Sequence, residues 1–132
     1  MTDFRIKSTD TDLELVLSDI KGDYFKVQLA SAHLQAMREV WAYTDAYGFA
    51  ELFEYLASKE KPWEGEETWQ SIEGEFKFSA LCNHVGKIKF VVELNHYGCA
   101  EEWQAKTEIN SEFGQLPHLA KKAREFFGES PS

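Results

Sequence analysis

Histidine, cysteine and carboxylate side chains are the groups in this sequence whose types could do chemistry, and their spacing decides whether they do. His33, His84, His96 and His118 are scattered along the chain. His84 and His96 bracket one expected strand, which at about 3.3 Å per residue holds them roughly 40 Å apart, too far to share a metal ion. His96 and Cys99 form a single local ligand pair, and no second pair stands at a metal-binding spacing, so no metal or other cofactor is expected. Nucleophilic chemistry has as little to work with. There is no Gly-x-Ser-x-Gly elbow and no glycine-rich phosphate loop, and neither Cys82 nor Cys99 sits among positive charges that would hold it as a thiolate. Carboxylates are abundant at Glu64, Glu66, Glu67, Glu73 and Glu75. A two-carboxylate hydrolase needs one of its pair desolvated, and this polar stretch has the pattern of a solvated face. No catalytic residue is expected, and the chain reads as a non-enzyme.

Those glutamates belong to residues 61–76, KPWEGEETWQSIEGEF, which hold two tryptophans, two glycines and five glutamates in sixteen positions. The segment follows a helical pattern and precedes a strand pattern, which predicts a loop crossing from a helical layer back to a sheet edge. Trp63 and Trp69 would close the end of the core, Gly65 would permit a turn, and Gly74 would mark a strand bulge or a place where another ring lies close against the backbone. The same loop could instead be presented as a surface, with a tryptophan as anchor and glutamates as rim.

The elements that must position this loop follow from periodicity. FRIKST, LELVLSD and DYFKVQLA alternate as a three-stranded meander with turns at Asp10-Thr11-Asp12 and Lys21-Gly22-Asp23. Ser31 then caps a predicted helix with Leu34, Met37, Trp41 and Thr44 at helical spacing, and a second helix carries Phe49, Leu52, Phe53 and Leu56 before Pro62. Period two returns in Ile72, Phe76, Phe78, Ala80 and Cys82 and in Ile88, Phe90, Val92 and Leu94, joined through Asn83-His84-Val85-Gly86 as a hairpin. A third strand, Trp103 to Ile109, precedes a closing helix with Pro117 in its first turn and Leu116, Leu119, Ala120, Ala123 and Phe127 on one face. The expected fold is α+β, one antiparallel sheet of about six strands in the order β-β-β-α-α-β-β-β-α with helices packed on one face. It forms a single domain over residues 1–132 with a flexible tail from about 128. The two halves are nearly symmetric in element order, without residue-level self-similarity.

The chain has 132 residues, 43% hydrophobic and 14% aromatic, enough for one core without metal or disulfides. No apolar run is long enough to span a bilayer, and the N-terminal MTDFRIKSTDTD lacks a secretory layout, so a cytoplasmic location is expected. Two cysteines there read as reduced thiols, with a Cys82–Cys99 bridge as the alternative. Fourteen basic against twenty-three acidic residues give a net charge of −9. That balance argues against nucleic acid and anionic membrane as partners and favours a basic protein, which a negative field steers into encounter.

At Trp63, Gly65, Trp69, Ser71, Glu73, Gly74, Gly86 and Trp103, and at Gly114, Gln115, Leu116, Ala120, Phe126 and Phe127, the sequence resembles an uncharacterised family of single-domain bacterial proteins. The resemblance covers most of the chain after Glu60. The turn Asn83-His84-Val85-Gly86 departs from the pattern, in which His follows Gly. That family is similar in size and character to the acidic immunity proteins of bacterial toxin systems, which bind and block a toxin domain without chemistry. The resemblance implies a class of protein and no catalytic residues.

Together these readings lead to an acidic binding protein of the immunity or antitoxin kind with a basic toxin domain as partner. Asp45, Glu51, Glu54, Glu64, Glu66 and Glu67 would steer and orient the partner, and Trp63 would be its anchor. The alternative is a small-molecule pocket between sheet and helices lined by Trp41, Tyr43, Phe53 and Trp103. An enzyme of unfamiliar design stands third.

Overall fold

A computed structural model describes residues 3–42, 47–98 and 100–128. Strands β1 (Phe4–Lys7), β2 (Glu14–Lys21), β3 (Tyr24–Ala30) and β4 (Gln35–Trp41) form one antiparallel meander, followed by α1 (Gly48–Ala57). Strands β5 (Gly65–Gln70), β6 (Phe76–Cys82), β7 (Lys87–His96) and β8 (Trp103–Glu112) form a second, followed by a 3-10 turn (Phe113–Gln115) and α2 (Leu116–Phe127). The expected α+β architecture is thereby corrected. The protein is mostly β, with two four-stranded sheets and two helices among the described residues, in place of one six-stranded sheet under three helices.

The correction falls on two segments. Ser31 does what a helix cap does, accepting the N–H groups of His33 and Leu34 at 3.2 and 3.1 Å, but it closes a turn. The Ser31 N–H donates back to the Leu34 carbonyl at 2.8 Å, and the chain reverses into β4. Three apolar residues at helical spacing do not outweigh seven backbone pairings offered by the free edge of β3, from Tyr24↔Trp41 to Ala30↔Gln35. Thr44 of the expected helix lies outside the described residues. The second segment is β5, where the polar GEETWQ pairs residue for residue with β6, from Gly65↔Cys82 to Gln70↔Lys77. Its polarity is that of an edge strand, with Trp69 turned to the core and Glu66, Thr68 and Gln70 exposed.

Where periodicity is strong the expected elements stand. Phe76↔Leu94, Phe78↔Val92, Ala80↔Phe90 and Cys82↔Ile88 share the buried face of the β6–β7 hairpin. Its turn is held by the Asn83 Oδ1 atom, which accepts from the Val85 and Lys87 N–H groups at 3.1 and 3.0 Å. Ile72, expected on that face, is exposed in the preceding turn.

Both sheets and both helices meet in one core. Phe49, in the first turn of α1, is its centre. Its ring lies 5.0–6.0 Å from the rings of Phe4, Phe53, Trp69, Phe76, Phe78 and Phe127, drawn from both sheets and both helices. The chain runs four strands and a helix twice over, and the helices interlock the halves. α1 packs on α2 and on β5 of the second sheet, while α2 packs on β1 of the first.

Replacing Phe49 by Ala removes a fully buried ring and opens a cavity at this junction, so urea unfolding of Phe49→Ala is expected to show a loss of about 3–5 kcal/mol. A loss below about 1 kcal/mol would mean that the two halves do not depend on this ring.

Candidate functional site

Residues 59–76 begin where α1 ends. The Ser58 and Lys59 N–H groups close the last turn on the Glu54, Tyr55 and Leu56 carbonyls, and Pro62 then prevents continuation of the helix. Trp63 is half-buried, its indole N–H donating to the Gly65 carbonyl at 3.2 Å and its ring 6.3 Å from that of Phe113. Gly86 backs this corner with φ +86°, and a Cβ there would lie 3.4 Å from Phe113 and 3.7 Å from Pro62. Trp69 sits edge-on to Phe49 and Phe76 at 5.6 and 5.7 Å. Both tryptophans therefore close the core, and Trp63 also keeps part of its ring at the surface.

The expected solvated carboxylates of this segment divide. Glu64, Glu66 and Glu73 are exposed and Glu67 is half-buried, but Glu75 is only 4% exposed. Its Oε1 accepts the Ser71 hydroxyl at 2.6 Å and its Oε2 accepts the Trp41 N–H at 2.9 Å. The Ser71 hydroxyl oxygen accepts the Phe76 N–H, and Gly74, at φ +75°, turns the chain between them. Gly74 is thus a hairpin residue between β5 and β6, not a bulge within a strand. Asn95, fully buried, accepts the Gln104 side-chain amide on Oδ1 and donates to the Gly74 carbonyl and to Glu93. Its carbonyl accepts the Arg38 Nε–H at 2.9 Å. This network carries the end of β4 across to the β5–β6 turn and β7. A hydroxyl bonded to a carboxylate is one element of an activated nucleophile, but Ser71 is 1% exposed and spends its oxygen on a backbone amide. The arrangement is a clamp between sheets. The sequence carried no sign of it beyond Ser71 and Glu75 flanking a glycine.

The partner-binding residues named from the sequence separate. Trp63 and Glu67 meet Lys59 at the junction of α1 and β5, Glu64 is exposed next to Trp63 in the chain, and Glu66, alternating with Glu67 along β5, faces the outer surface of the second sheet beside Thr68, Lys77 and Lys89. Lys59 Nζ lies 3.7 Å from the Glu67 carboxylate, 4.6 Å from the centre of the Tyr55 ring and 5.4 Å from that of Trp63. Glu54 turns to α2 instead, accepting the Tyr47 hydroxyl at 2.6 Å and lying 4.0 Å from the Arg124 guanidinium. Glu51 is exposed in the first turn of α1, and Asp45 lies outside the described residues. Elsewhere on the second sheet the charges compensate: Lys77 pairs with Glu93, Lys89 with Glu108 and Lys87 with Glu112, at 3.0–3.6 Å. Glu60 and Glu64 have no ion pair among the described residues, and Glu66 bonds only to the Thr68 hydroxyl.

Of the residues named for an internal pocket, Phe53 and Trp103 stand apart. Phe53 is fully buried against Phe4, Phe49, Phe78 and Phe90. Trp103 lies 5.8 Å from His96, six residues further along β7 than Phe90, a separation of about 20 Å. Trp41 is joined to Glu75 at the end of β4, and Tyr43 lies outside the described residues. His84 and His96 stand at opposite ends of β7, and among the described residues no three His, Cys, Asp or Glu side chains are grouped to hold a metal ion. Cys82 is a free thiol, and Cys99 lies outside the described residues. No helix among the described residues is long and apolar enough to cross a membrane.

Two interlocked ββββα halves with a tryptophan-bearing junction define a mostly β protein. Residues 6–130 match DUF6228, a family of unknown function, and the chain belongs to that family. No curated protein and no solved structure matches it. The uncharacterised family expected from the Trp-x-Gly and Trp-x-Ser-x-Glu-Gly pattern is therefore found.

Burial, and next the hydrogen bond to Glu54, push the Tyr47 phenol up from 10.0 to about 12, with the Glu54 and Glu51 charges adding and Arg124 opposing. The unfolded chain then loses the phenolic proton first as pH rises. Stability from neutral Tyr47 is full below about pH 10 and is lost as the pH climbs toward about 12. Denaturant midpoints of Tyr47→Phe are expected to fall less steeply than those of the parent protein across that window; equal slopes would show that Tyr47 does not set the alkaline limit.

Proposed function

We propose that this chain is a non-enzymatic acidic binding protein of the immunity or antitoxin kind, neutralising a basic toxin domain by direct contact. The observation that carries this reading is the α1–β5 junction. Residues 59–67 set four glutamates against two lysines around the half-buried Trp63, in a chain of net charge −9. Exposed carboxylates without cationic neighbours are solvated at little cost and available to a partner, and their summed field accelerates encounter with a basic surface. A large half-buried aromatic with an exposed edge supplies the anchor around which such a rim works. Further support comes from the side chains able to do chemistry, which are dispersed or, like Ser71 and Glu75, buried in structural bonds. A bacterial, cytoplasmic setting accompanies this reading, as does the kinship in kind with immunity proteins.

Replacing Glu64, Glu66 and Glu67 together by Gln is expected to slow capture of the cognate basic protein by about tenfold or more at low salt and to flatten the salt dependence of its on-rate. The thermal midpoint should change little, since these are surface positions. Surface-binding kinetics at two salt concentrations read this directly, and an unchanged on-rate would remove the junction from the interface.

A further inference from the structure

Lys59 occupies a compartment that its surroundings would offer to any organic cation. Its ammonium lies within 6 Å of two aromatic ring centres, Tyr55 at 4.6 Å and Trp63 at 5.4 Å, and 3.7 Å from the Glu67 carboxylate. It also donates to the Tyr55 hydroxyl at 3.4 Å. Two aromatic rings and a carboxylate around one cation are the elements that recognise a guanidinium or alkylammonium group. The walls are placed independently of Lys59. Tyr55 is fixed by α1, Trp63 by its bond to Gly65 and its packing on Phe113, and Glu67 by its pairing opposite Ala80 in β5.

We propose that Tyr55, Trp63 and Glu67 form a receptor for an arginine side chain of a basic protein partner, and that Lys59 fills it as an internal stand-in until the partner arrives. The proposal rests on the binding function proposed above and names the contact that would anchor it. Three features favour exchange. The Tyr55 side of the compartment is open, since that residue is 52% exposed. Lys59 lies beyond the last residue of α1, at the start of the connection to β5, and its side chain can swing into water without moving a core residue. An arginine is also the better occupant: its planar, weakly hydrated guanidinium stacks on aromatic rings and can bond both carboxylate oxygens, whereas the ammonium gives up stronger hydration. The exposed Glu60, next to Lys59 in the chain, and Glu64, next to Trp63, would add negative field for the displaced lysine and the incoming cation.

A self-filled site binds more weakly by the fraction of time it stands open, so removing the stand-in should tighten binding. The probe is N-acetyl-arginine amide, titrated into the intact chain and followed by tryptophan fluorescence and by the side-chain NMR signals of Lys59. In the parent protein the Lys59 Cε protons should show the upfield displacement of a group held over aromatic rings, and they should move back toward exposed-lysine values as the probe is added. Lys59→Met should bind the probe about tenfold more tightly than the parent, Glu67→Gln added to Lys59→Met should abolish that gain, and N-acetyl-citrulline amide should not compete. Lys59 signals that do not respond to the probe, or a Lys59→Met variant that binds no tighter, would overturn the proposal, and the parent-protein signals decide the matter even if a variant is poorly folded. Because the probe needs no partner, the two readings fail separately. Capture of a basic protein without probe binding removes this receptor alone, and probe binding without any basic partner removes the immunity function alone.

Discussion

Phe49 has to find six aromatic rings at once, and the rest of the architecture follows from where those rings come from. They belong to β1, α1, β5, β6 and α2, so neither meander can bury its inner face until the other has folded against α1. Each half alone would be a four-stranded sheet with one apolar face uncovered. Crossing each helix onto the first strand of the opposite half removes both exposed faces in a single step.

Apolar packing of this kind is not directional, and the buried polar groups supply the missing registration. Glu75, Ser71 and Asn95 join β4 to the β5–β6 turn and β7, while both carboxylate oxygens of the exposed Asp10 accept from the Asn110 side-chain nitrogen and join the β1–β2 turn to β8. The bonds from Asn110 and Ser8 hold the Asp10 carboxyl below its ordinary range. Two sheets are therefore pinned at opposite ends, at one of them by buried groups that must be paired once desolvated. The same requirement explains why the most deeply buried carboxylate of an acidic chain is a structural one: the carboxylates left for a partner are those the fold does not need.

How much of this was legible depended on how much of each element's identity lay in its own residues. The β6–β7 hairpin, α1 and α2 have apolar repeats long enough to declare a period, and they were read at nearly their observed bounds. β4 was not, because QAMREVW carries few apolar residues and its identity comes from the unsatisfied edge of β3. β5 was hidden for the same reason, its pairing being backbone to backbone along a polar sequence. The acidic segment was visible in composition, but the alternation of β5 sends Glu66 to the outer face of the sheet and leaves Glu67 beside Trp63 and Lys59. Glu54 was drawn away by Tyr47 at the start of its own helix and by Arg124 of α2, the second a contact across helices that no local pattern encodes. Lys59 between Tyr55 and Trp63 escaped notice because it depends on how α1 meets β5.

The proposed function rests on exposed carboxylates that the fold does not pair, such as Glu60 and Glu64 near Trp63. The most direct measurement of that claim is affinity capture with the intact chain as bait in lysate of its own organism, at low and at high salt, with bound species identified and quantified by mass spectrometry. The account predicts one basic polypeptide retained in stoichiometric amount at low salt and substantially released at high salt. Retention of nothing at either salt, or of acidic proteins whose binding ignores salt, would contradict it.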